Sequence, residues 1–149
     1  MGEGAGLGAA SKRRFEMKFM LLQAYGGVKA DVEPMSKWTP EEIEAHIAYQ
    51  RDLNAELAER GELVDAQGLT GPEQAKFVVS DGAGTPVVTD GPFPESKELL
   101  AGYRMVDVES LERALEIAAK GSAAPGPGGV PIKQEIEVRE VMSAPGIEP

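Results

Sequence analysis

"LAGYRMVDVESLERALEIAAKG", Leu100 to Gly121, decides the fold. Leu100 to Val108 alternates with the period of a strand that has two unlike faces. From Ser110 to Lys120 the period lengthens, so that Leu111, Ala114, Leu115 and Ala118 fall on one side of a helix, and Gly121 closes it. Tyr103 and Arg104 are neighbours on the strand and therefore point to opposite faces. A strand that runs into an amphipathic helix is half of a β-α-β unit, so the flanking segments determine the architecture.

Downstream, "SAAPGPGGVP" is a loop, because alternating proline and glycine from Pro125 to Gly128 break any hydrogen-bonded ladder. "IKQEIEVREVM" then alternates through Ile132, Ile136, Val138 and Val141 and forms the last strand. Upstream, "AKFVVSDGAGTPVVTD" is a hairpin, two β-rich arms around Asp81-Gly82-Ala83-Gly84. "ELVDAQGL" before it is a strand. Thr39-Pro40-Glu41-Glu42 supplies a capping hydroxyl, a proline at the first helical position and a glutamate three residues after the cap. The helix it opens runs to about Arg60, with Gly61 as the left-handed residue beyond its end. Its inward stripe is Ile43, His46/Ile47, Gln50, Leu53 and Leu57. "MKFMLLQAY", Met17 to Tyr25, is a mostly apolar run that suits a strand buried on both faces.

The order is β-α-β, an inserted hairpin, then β-α-β: an α+β protein with the split βαβ arrangement of a ferredoxin-like fold. Residues 17–142 form one domain, preceded by a disordered leader, 1–16, and followed by a flexible tail, 143–149. Two helices cover one face of such a sheet, and the other face needs a second layer. The runs "KFMLL" and "YRMV" make that face apolar, so the expected partner is an identical chain in a homodimer whose sheets pack face to face.

Composition narrows the chemistry. The 15 basic and 25 acidic residues leave a net charge of −10, a field that repels nucleic-acid phosphates and anionic lipid surfaces. The chain contains no cysteine and a single histidine, which excludes disulfides, thiolate sites, cysteine nucleophiles and a multi-histidine metal cluster within one chain. The apolar run Phe19–Ala24 is shorter than the roughly 7–15-residue core of a signal peptide. These features fit a cytoplasmic protein without a membrane segment. There is no glycine-rich phosphate loop before a helix, no Ser-His-Asp set and no carboxylate cluster of metal-ligand type, so no cofactor and no metal are expected.

"VTDGPFPESKELLAGYRMVDVESLERALEIAAK", with "MKFMLL" and "ELAERGELVDAQGL", resembles the DGPF-domain branch of the YCII-related family over roughly Met17 to Val141, most strongly from Asp90 to Tyr103. Ala101 departs from the pattern, which has glycine there. The resemblance implies a dimeric α+β barrel with a pocket between sheet and helices. It also implies a largely unassigned biochemistry and relatives encoded beside extracytoplasmic-function sigma factors. YCII proteins proper use a histidine on the first helix and an aspartate after the second. Counted back from Gly61, the histidine position falls on Gln50, with His46 one turn earlier, and the aspartate region reads "AAKGSAAP" without an acid.

Two residues are candidates for chemistry. Asp90, in Asp90-Gly91-Pro92-Phe93, is either an architectural corner or, at a pocket mouth, a general base or a group that binds a polar ligand. His46, with Gln50 and Asn54, puts polar groups into the stripe that faces the sheet; it is either a hydrogen-bonded core histidine or a proton-moving imidazole. Glu42, four residues earlier, is placed to orient it or to share a metal with it, although two ligands at that spacing are weak grounds for a metal site. Tyr25, Trp38, Phe93 and Tyr103 are expected to edge or wall the pocket, although a hydrophobic staple explains Trp38 equally well. Arg104 needs a carboxylate if it faces a dimer interface. The function this supports is binding of a small organic molecule, with cofactor-independent acid–base chemistry of isomerase or lyase type. The rival is a non-catalytic regulatory module that contacts a protein partner such as a sigma factor.

Overall fold

The Thr39 cap forms as its sequence dictates: Oγ1 accepts the Glu42 N–H at 3.1 Å, and the Glu42 carboxylate accepts the Thr39 N–H at 2.9 Å. This computed structural model describes residues 17–24, 32–91 and 100–142. The capping box starts helix α1, Pro40–Glu59, and Gly61 ends it at φ 76°, its N–H bonded to the Ala58 carbonyl. Strand β1 is Met17–Ala24 and β2 is Leu63–Gly68. β3, Lys76–Val79, and β4, Val87–Asp90, form the hairpin; β5 is Leu100–Val108, α2 is Leu111–Ser122 and β6 is Ile136–Glu140.

The main sheet has the order β2-β5-β1-β6 with every neighbouring pair antiparallel. Each helix thus bridges two strands that have a third between them, which is the split βαβ of a ferredoxin-like α+β fold. The hairpin β3–β4 is a separate ladder inserted between β2 and β5, with Val78 opposite Val88 and Val79 opposite Val87. Both helices pack on one face of the main sheet. There Phe19, Leu21, Val106 and Val108 meet Leu53 and Leu57 of α1 and Ala114, Ile117 and Ala118 of α2.

Several local expectations are corrected. β1 is buried on one face only: Phe19 and Leu21 are inside, while Met20 and Leu22 on the reverse are half-buried. Within the single chain the helices cover one side of the sheet, and the reverse of β1 is the face on which a second layer would pack. On α1, Leu53 and Leu57 reach the core, but Ile47 is exposed and Ile43 lies with it on an outer groove. The first turns of α1 meet the Pro125–Gly129 loop rather than the sheet; the Gly128 N–H donates to Glu42 Oε2 at 3.0 Å. α2 does not stop at Gly121, which sits buried inside its last turn. A Cβ there would lie 3.3 Å from Arg104 Nη1, so close approach rather than capping explains this glycine. The last strand is shorter than its alternation predicts. Ile132 is buried in the loop before it, donating its N–H to the Ala124 carbonyl at 2.9 Å.

Candidate functional site

Arg104 faces the helices, so the carboxylate it would need at an interface is not required there. Register puts it opposite Leu21 on one side and Ala66 on the other, all on the helix-covered face. It is 7% exposed. Its Nε donates to Asn54 Oδ1 at 2.6 Å, and Nη2 donates to Gln50 Oε1 at 2.5 Å and to the Gln50 carbonyl at 3.3 Å. Every acceptor is a neutral amide. Burial lowers the guanidinium's pKa from its ordinary value, partly countered by nearby Tyr49, yet an arginine stays charged at neutral pH.

His46 continues the chain of contacts. Its Nδ1 lies 3.0 Å from the Pro125 carbonyl, and a carbonyl only accepts, so Nδ1 carries a proton. In the neutral ring Nε2 is then an acceptor, and it takes a hydrogen from Gln50 Nε2 at 3.3 Å. Gln50 therefore spans the two functional groups, oxygen on the cation and nitrogen on the imidazole. The i, i+4 spacing on α1 makes this contact available, because such residues are neighbours on a helix. The resemblance assigns histidine to position 50, so the imidazole one turn back is still coupled to it.

These side chains line one cavity of about 190 Å³ at the end of the sheet. Gln23, His46, Gln50, Asn54 and Arg104 contribute the polar wall, and Ala66, Gln67, Gly68 and Tyr103 the remainder. Gly68 and Gly102 pair across β2 and β5, and a Cβ at Gly68 would meet nothing within 4 Å. The glycine leaves open space where a side chain would fill the cavity.

The other expected residues are placed as follows. Asn54 lines the cavity and holds Arg104. Tyr103 also lines it, but its hydroxyl donates to Asp65 Oδ2 at 2.8 Å, a bond that raises the phenol's pKa and lowers the carboxyl's. Asp90 is exposed on β4, paired with Lys76 Nζ at 2.7 Å, and is not among the residues that line the cavity with His46. Trp38 is buried beside the site, its indole N–H donating to the Glu33 carbonyl at 2.7 Å and its ring T-shaped against His46 at 5.5 Å. Glu42 serves the cap and Gly128, whose backbone N–H groups lower its pKa, and does not orient His46. Tyr25 and Phe93 lie outside the described residues. Arg104 as a cavity group was missed; its signal was a lone basic residue in the middle of an apolar strand. Among the described residues no three His, Asp or Glu side chains group as metal ligands would, and no helix is long and apolar enough to cross a membrane.

The family of the YCII-related domain matches residues 17–137 of the chain. An uncharacterised protein of Rhizobium meliloti (strain 1021) is 35% identical over 107 residues, which span 69% of this chain and 83% of that protein.

Proposed function

The chain belongs to the YCII-related family, and from that premise we propose that it binds a small organic molecule in the cavity between α1 and the end of the sheet. The observation that carries this reading is that His46, Gln50, Asn54 and Arg104 line one cavity around an unfilled glycine wall. At about 190 Å³ it is below the roughly 300–1,000 Å³ of drug-sized sites, which favours a small ligand. If the bound molecule reacts, His46 Nε2 is the group that accepts its proton, once the Gln50 amide moves aside. Asp90, on the exposed hairpin, is not among the residues that line the cavity with His46, which leaves a single-base proton transfer of the isomerase or lyase type. The single histidine makes the test direct. A library of small organic molecules, screened by NMR on the His46 ring resonances, should contain members that shift them. His46→Ala, followed by Trp38 emission since its ring resonances are gone, should abolish binding with little change in Tm. Binding that survives this substitution while stability drops would overturn the reading.

The same premise supports a homodimer formed through the open face of the sheet. By register that face carries Met20, Leu22 and Met105 at its centre, with Lys18 and Arg139 among the cations and Asp65 and Glu137 among the anions around them. An apolar centre with both charge signs at its rim suits a two-fold copy of itself.

A further inference from the structure

Arg104 is a buried cation whose partners among the described residues are all neutral. Removing a guanidinium from water costs several kcal/mol unless a counter-charge replaces the lost hydration. The contrast is Glu62, the other buried charged residue among the described residues, which two arginines neutralise. Around Arg104 the Gln50 carboxamide does this work incompletely, since an amide oxygen carries only a partial charge.

We propose that the cavity takes a small monocarboxylate, one oxygen of which replaces Gln50 Oε1 on Arg104 Nη2. The carboxamide of Gln50 has the planar shape of a carboxylate and holds, in this structure, the position between cation and imidazole that the ligand's carboxylate takes. Displacement frees Gln50 Nε2 from His46, so that the imidazole faces the ligand. The bond that forms joins two opposite charges, whereas the one it replaces joins the guanidinium to a neutral amide oxygen. The chain's net charge of −10 disfavours more highly charged anions, and Arg104 offers a single buried cation for one carboxylate. The body of the ligand then lies toward Gly68, where the wall is open. This inference rests on the cavity being a ligand site at all, and two variants separate the ideas. Gly68→Leu fills the cavity from a position where a side chain meets nothing, and leaves Arg104 unchanged. Gln50→Glu keeps the cavity and installs a permanent carboxylate on Arg104.

The experiment titrates the full chain with benzoate and, in parallel, with its neutral isostere benzamide. Each runs to about 20 mM at constant ionic strength, above the ~1 mM Kd of a weak small-ligand complex. The readouts are the His46 ring resonances and the emission of Trp38, the single tryptophan. The expected result is that benzoate binds at least tenfold tighter than benzamide. Gly68→Leu should abolish binding, and Gln50→Glu should weaken benzoate at least tenfold while raising Tm. Arg104→Met, which retains an apolar stem, should also lose benzoate. Equal binding of the two probes, both lost in Gly68→Leu, would overturn the carboxylate inference and keep the cavity as a ligand site. Benzoate binding that survives Gly68→Leu would overturn both. Failure of benzoate to bind the unmodified chain, or unchanged benzoate affinity in Gln50→Glu, would overturn the carboxylate inference.

Discussion

Glu62 and Arg104 are the buried charged side chains among the described residues; Glu62 has opposite charges beside it, and Arg104 has neutral amide oxygens. Glu62 accepts from Arg113 Nε and Nη2, both at 2.9 Å, and from Arg60 Nε at 3.1 Å. Burial pushes its carboxyl pKa up, but the hydrogen bonds and charges of Arg113 and Arg60 outweigh this and leave it below the usual value. The same pairing raises the Arg113 guanidinium against its own desolvation. Arg60 is half exposed and adds little, so Arg113 is the partner that matters. Glu62→Gln takes away the buried carboxylate of Arg113, leaves it with the exposed Glu116 at 3.0 Å, and should cost about 3 kcal/mol in chemical denaturation. A lowered carboxyl pKa stabilises the fold above the unfolded value, near pH 4.3, and that contribution is lost as pH falls through the lower folded value. Glu62→Gln should therefore flatten the acid limb of the stability–pH curve. An unchanged limb would show that the ion pair is not what titrates.

The loop from Pro125 to Pro131 is the element whose role is least like its composition. Its prolines and glycines mark it as irregular, yet it is folded back on itself, with the Gly126 N–H bonded to the Val130 carbonyl at 2.8 Å. It presents the Pro125 carbonyl that fixes the His46 tautomer. A Cβ at Gly126 would fall 2.4 Å from Ile132 Cγ2 and 3.3 Å from the Trp38 ring, both buried. Gly126→Ala must then displace packed groups, at about 1–3 kcal/mol. It should also shift Trp38 emission and the His46 resonances, because the same loop supports both. If stability falls and those signals stay put, the loop braces the fold without setting the site. The helices are joined independently, through Tyr49 donating to the Lys120 carbonyl at 2.8 Å and Lys120 pairing with Glu56 at 3.0 Å.

Among the described residues, exposed valines gather on the hairpin, where Val78, Val79, Val87 and Val88 are each more than half exposed, while Met20, Leu22 and Met105 on the open sheet face are half-buried. Register places Val79 and Val87 on one side of the hairpin and Val78 and Val88 on the other, so neither side is turned inward. The proposed second copy, seated on the sheet, would give the open face the layer it lacks. Light scattering at micromolar concentration should give twice the chain's 15.8 kDa. Met20→Glu, at the centre of the open face, should reduce it to one chain while helix content is retained. A monomeric mass for the unmodified protein would overturn the dimer.

What the chain determines by itself is the sequence of elements, because period, cap and breaker are local. Thr39 to Glu42 encodes the start of α1, Gly61 its end, and the change of period at Ser110 the passage from β5 to α2. With the hairpin located, the strand order follows from connection rules. Tertiary structure alone decides which face of a strand is buried and which distant groups meet. Alternation shows that Tyr103 and Arg104 oppose each other but is symmetric under exchange of the two faces; packing of α1 and α2 breaks the symmetry and sends Arg104 inward. His46 and Gln50 are coupled by helical spacing and were legible together. Their junction with Arg104 and Pro125 was not, because those contacts close across 54 and 79 residues of chain and no local pattern records them.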